Sequence, residues 1–95
     1  MTGQGLERMV SKTLLVGMVY VDSNGIVVER VQFAGVVTSV DPLVEIDIGD
    51  EEPFTLPPDP DAYDVADPGE YRLRASGDVV VDPDFITSWR VTTPG

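Results

Sequence analysis

Apolar and polar residues alternate along residues 13–49, TLLVGMVYVDSNGIVVERVQFAGVVTSVDPLVEIDIG, with the period of two that a half-buried strand imposes. The centre of this stretch is a strand over 31–40, bent at Gly35. Asn24-Gly25 interrupts the alternation with two residues that tolerate positive φ, the requirement of a two-residue type I′ hairpin loop. With Ser23 paired to Ile26, the register sets Met18 opposite Val31, Val16 opposite Phe33 and Leu14 opposite Gly35. That face is wholly apolar. The other face sets Val19 against Arg30, Gly17 against Gln32 and Leu15 against Ala34, the mixed composition of a half-solvated sheet.

Asp41-Pro42 turns the chain into a further strand over 43–48, in which Val44, Ile46 and Ile48 alternate with Glu45 and Asp47. Only an even-numbered loop, of two or four residues, brings Ile46 and Ile48 to the face of Val37. Gly17 and Gly35 lie mid-strand, where glycine marks a bend, a bulge or a close backbone approach. Two such points in neighbouring strands predict a curled sheet that closes into a small barrel. The expected class is all-β: a small, strongly bent antiparallel β-barrel, SH3-like or Sm-like, of about five to seven short strands.

Outside the hairpin the pattern is thinner. Residues 1–12 hold Gly3 and Gly5 and only a weak helical spacing of Leu6, Met9 and Val10, which predicts a flexible N-terminal arm with at most one helical turn. The single barrel domain then occupies 13–95. Phe54-Thr55-Leu56 is a short strand ended by Pro57-Pro58. The connection 57–69, PPDPDAYDVADPG, offers Tyr63 and Val65 to pin it to the barrel or to fill a helical turn. Tyr71, Leu73 and Ala75 alternate with Arg72 and Arg74 in a strand over 70–75, and a hairpin of open register leads to Val79-Val80-Val81. A last short strand over 87–91 turns Trp89 and Val91 inward.

Composition narrows the function more than it names it. Ninety-five residues make one domain. The chain has no histidine and no cysteine, which removes Ser-His and Cys-His nucleophiles, disulfides and thiolate metal ligands. Its net charge is −11, and the excess falls between Asp41 and Glu70, where eleven acids meet no lysine or arginine; elsewhere six acids face six bases. Such a distribution predicts one strongly negative region. It serves either solubility or the docking of a basic protein, and the candidate surface for the latter is Asp41, Glu45, Asp47, Glu51, Glu52, Asp59, Asp61, Asp64 and Asp67.

Asp59, Asp61, Asp64 and Asp67 lack the spacing of the helix-loop-helix calcium motif, and no glycine-rich phosphate loop is present. No catalytic residue, cofactor or metal is expected. The apolar run 13–21 is too short to span a bilayer as a helix and lacks a small-residue cleavage site, so a soluble, cytoplasmic protein is expected.

Phe33-Ala34-Gly35-Val36-Val37-Thr38-Ser39-Val40-Asp41 resembles the first signature of the Sm and Sm-like proteins, a small-residue bend followed by alternating apolar positions and an aspartate. Leu73-Arg74-Ala75-Ser76-Gly77-Asp78-Val79-Val80 is similar to their second, an aliphatic-Arg-Gly-polar pattern with one residue more before Gly77. The resemblance implies an N-terminal helical turn, five bent strands and often a ring of subunits joined edge to edge. Where that family's RNA-binding loop carries asparagine, this chain has Glu45. Nucleic-acid affinity rests on cationic groups that release counterions, and 41–70 supplies none, so a nucleic-acid partner is not expected. The expected function is a non-catalytic interaction module, a monomer or a small homo-oligomer built through the edge at Val79-Val80-Val81. The alternatives are an Sm-like ring-forming or RNA-associated protein and, more distantly, a small acidic-residue hydrolase.

Overall fold

The computed structural model describes residues 6–49, 51–73 and 77–93. A 3-10 turn, Glu7–Met9, precedes eight strands: β1 Thr13–Val21, β2 Val27–Ser39, β3 Val44–Asp47, β4 Phe54–Leu56, β5 Tyr63–Val65, β6 Glu70–Arg72, β7 Val79–Val81 and β8 Phe85–Thr92. A second 3-10 turn, Pro60–Ala62, separates β4 from β5. Six strands build one sheet in the order β4-β3-β2-β1-β8-β5, curled into a half-barrel, and β6 and β7 form a small second sheet.

The expected register of β1 on β2 holds from Leu14↔Gly35 through Tyr20↔Glu29. The loop that delivers it differs. The Asp22 carboxylate accepts the Asn24 N–H (2.8 Å) and the Ile26 N–H (3.0 Å), while Gly25 N–H donates to Asp22 O (2.9 Å). Within this loop Gly25 alone takes a positive φ, of 82°. The connection is therefore a three-residue loop, a turn followed by a left-handed glycine. Val21 accordingly meets Val27, and a bulge that leaves Val28 as the extra residue returns the pairing to the expected register at Tyr20↔Glu29. The two departures cancel, because the apolar stripe penalises any net slip by one.

Between β2 and β3 the connection has four residues, 40–43, and Val37 lies opposite Ile46. Gly35 makes the bend possible: a Cβ there would stand 2.5 Å from the Asp47 carbonyl oxygen and 2.6 Å from Ile46 Cγ2. Phe33 sits opposite Val16, half-buried, and meets Phe54 edge to face at 4.8 Å between centroids.

The remaining expectations meet two corrections. The N-terminal arm is not free over 6–12: Leu6 and Met9 are each only 1 % exposed within the core, and Ser11 N–H and Lys12 O bond to Val37 O and N–H at 2.7 and 2.9 Å. Two apolar side chains three residues apart, Leu6 and Met9, gain more from joining the core than a solvated arm gains in chain entropy, while Val10 stays exposed. The last strand, longer than expected at Phe85–Thr92, pairs in parallel with β1, Leu14↔Phe85 through Val21↔Thr92. Its entry is fixed by Asp84, whose carboxylate accepts Thr13 N–H (3.0 Å) and whose N–H donates to Thr13 O (3.1 Å). Trp89 and Val91 pack half-buried against the core, as expected.

Tyr63 anchors the long connection and Val65 does not, at 5 % and 64 % exposure. In the β6-β7 hairpin Tyr71 meets Val80 and Leu73 is buried. Arg74 and Ala75 of the expected strand, and Ser76 after it, lie outside the described residues.

Candidate functional site

Each acidic side chain of the candidate surface owes its position to the alternation of the strand or to the turn that carries it. On β3, Val44 and Ile46 are wholly buried, so Glu45 and Asp47 are forced to the opposite face, Glu45 half-buried and Asp47 exposed. Glu45 pairs with Thr55 of β4 and with Ser39 of β2. Asp41 is exposed in the connection before β3, at a cis Asp41-Pro42 bond, and Glu51 and Glu52 are exposed in the turn before β4. These five lie along the β3-β4 side of the sheet. Asp50 lies outside the described residues.

The other four follow β4. Asp59 caps the turn Pro60–Ala62, its Oδ1 accepting Asp61 N–H at 3.0 Å. Asp64 is exposed on β5, opposite Ile86, because its neighbour Tyr63 takes the inward position. Asp67 is exposed, and its carbonyl accepts the Tyr71 hydroxyl at 2.7 Å.

In the order of the sheet, β4 and β5 are opposite edges, yet six residues, 57–62, join them. So short a link requires the sheet to curl until the edges approach. The contact that marks the approach is the Tyr63 hydroxyl donating to Pro57 O at 2.7 Å. Burial pushes the Tyr63 phenol well above its ordinary pKa, and the Asp59 carboxylate adds to the shift. The edges face each other without ladder pairing between β4 and β5. Of the candidate acids, Asp59 and Asp61 lie on the link across this seam and Asp64 on its β5 edge, whereas β4 itself carries none.

The arrangement can attract cations collectively but does not gather them. Asp47 and Asp59 each spend one lone pair on a local N–H, Gly49 at 3.0 Å and Asp61 at 3.0 Å, and keep the rest for solvent or a partner. Among the described residues no three carboxylates converge on a point that could hold a metal ion. Nor do the candidate acids line two neighbouring depressions on the outer face of β2, β1 and β8. No helix among the described residues is long and apolar enough to cross a membrane.

Sequence reasoning missed a second charged feature on that outer face. Parallel pairing of β8 with β1 sets Arg30, Val19 and Arg90 in one row across three strands, and Gln32, Gly17 and Ser88 in the next. The hairpin register already placed Arg30 and Gln32; β8 supplies Arg90 and Ser88 from 60 residues further along the chain. Alternation within 85–92 was the available signal for the face, but not for the neighbour. No protein-family model, no curated protein and no solved structure matches the chain.

Proposed function

We propose that the protein is a non-catalytic interaction module that docks a basic protein partner on the acidic seam. The observation that carries this reading is that the link closed by the Tyr63-Pro57 contact carries Asp59 and Asp61, with Asp64 on the β5 edge, in a stretch of chain that holds no lysine or arginine. A surface whose charge has no internal partner keeps its field for an approaching one. The lack of histidine and cysteine, and the exposure of every candidate carboxylate except the half-buried Glu45, support the non-catalytic part. An Sm-like RNA-associated role has less electrostatic support, since phosphates would meet the same field.

Capture from a lysate of the source cell on the immobilised chain, at low and high salt, tests the reading. It expects a basic protein retained at low salt and released as salt rises, and retained poorly by the variant with Asp59→Asn, Asp61→Asn and Asp64→Asn. If the acids serve solubility alone, the variant precipitates sooner and no salt-sensitive partner is found. Light scattering separates this module from a ring former: β7 pairs only with β6 among the described residues, with Val79 and Val81 exposed at 43 % and 61 %. A monomer at high concentration removes the ring and leaves the module.

A further inference from the structure

Two glycines sit mid-strand in the curled sheet, and only one of them is required by the fold. At Gly35 an added Cβ collides with backbone. At Gly17 the nearest atoms to an added Cβ are Ser88 Oγ at 3.7 Å and Thr87 O at 3.9 Å, ordinary contact distances, and no positive φ demands glycine. Glycine within a strand costs backbone order and packing. At Gly17 neither sterics nor conformation offsets that cost. What the missing side chain does create is a depression of about 220 Å³ on the outer face, lined by Gly17, Val19, Arg30, Gln32 and Ser88 together with Met18 and Val31. A neighbouring depression shares Val19, Arg30 and Ser88 with it and extends to Arg90.

Around this pit the donors are cationic or neutral. Arg30 and Arg90 flank Val19 in register, which puts their Cα atoms about 10 Å apart, two strand spacings. Both are exposed, and neither guanidinium makes a hydrogen bond or ion pair among the described residues. Guanidinium groups on stems of that length can converge on one group between them, and their planar forks match the oxygens of phosphate and carboxylate. Ser88 adds a hydroxyl on the β8 side of the pit and Gln32 an amide on the β2 side. The nine candidate acids of the seam are absent from the lining of both depressions.

We propose that the outer face over Gly17 is a subsite for a compact oxyanion, the phosphate or carboxylate group of a small ligand, held between Arg30 and Arg90 with Ser88 beneath. The inference is independent of the acidic seam and lies on other strands. The glycine makes room, the arginines supply charge, and the parallel pairing of β8 brings them together.

Titration of the full chain, labelled with nitrogen-15, by inorganic phosphate in one arm and succinate in another tests it, at pH 7 and constant ionic strength. The proposal expects saturable shifts centred on the amides of Gly17, Val19 and Ser88 with at least one of the two anions, and the arm that saturates tells phosphate chemistry from carboxylate chemistry. Arg30→Gln and Arg90→Gln should each weaken that binding at least about tenfold, as loss of a charge-assisted contact does. Gly17→Val should abolish it while leaving the thermal midpoint unchanged or raised, since valine is a better strand former than glycine. Shifts that grow linearly without saturation in both arms, that centre on Arg8 or Arg72, or that persist unchanged in Gly17→Val would overturn the proposal.

Discussion

Gly35 and Gly17 look alike in the sequence and differ in the fold, which makes them a matched pair for experiment. Gly35→Ala drives a methyl group into the Asp47 carbonyl and Ile46, so it should destabilise by about 1 to 3 kcal/mol, the cost of overpacking. Gly17→Ala should leave stability unchanged or raise it by about 0.5 kcal/mol, through the lower chain entropy of alanine. Urea denaturation of the two variants decides it, and equal losses would contradict the assigned roles. Tyr63 gives a pH test. Its folded pKa lies above the roughly 10 of an unfolded chain, so the neutral phenol contributes its stability fully below about pH 10 and loses it as pH rises further. Tyr63→Phe forgoes the bond to Pro57 and should cost about 1 kcal/mol at pH 7. Above pH 10 the variant should lose stability less steeply than the parent, which fluorescence-detected unfolding across pH 7 to 11 can follow.

The strands divide into a deeply paired group and a thin one. β1 has β2 on one side and β8 on the other along nearly its whole length, and its inward side chains Leu14, Val16 and Met18 are buried. β6 and β7 share three pairs and bury Leu73 outside the main core. Native-state hydrogen exchange should therefore find β1 amides opening only with global unfolding, and the β6-β7 amides opening at distinctly lower free energy. Equal protection in the two groups would contradict the architecture. The contrast also explains what was legible. Residues 13–40 announced their register because the apolar stripe on both strands permits one alignment, whatever the loop. The loop itself was misread because Asp22 captures two N–H groups that a two-residue turn would place elsewhere. The parallel partner of β1 was illegible because alternation fixes a strand's face and not its neighbour. Tyr63–Val65 was hidden for a simpler reason: three residues among prolines and aspartates carry too little periodicity to read as a strand.

Across the molecule, charge follows the topology. The candidate acids lie between the end of β2 and the start of β6, whereas Arg30 and Arg90 cross the middle strands β2, β1 and β8. The uneven charge was readable from the sequence, since no base occurs between Arg30 and Arg72. The approach of β4 and β5 within that stretch was not, because it depends on the curl of the sheet. The central claim, that this seam receives a basic protein, is tested most directly by the association rate of the captured partner as salt is varied. Opposite charges steer encounter over a Debye length of about 10 Å at 0.1 M salt and about 3 Å at 1 M. The account predicts that association slows steeply over that range. It also predicts a severalfold slower rate at low salt when Asp59, Asp61 and Asp64 are replaced by asparagine, with the melting temperature nearly unchanged because exposed carboxylates contribute little to stability. An association rate indifferent both to salt and to these three substitutions would contradict it.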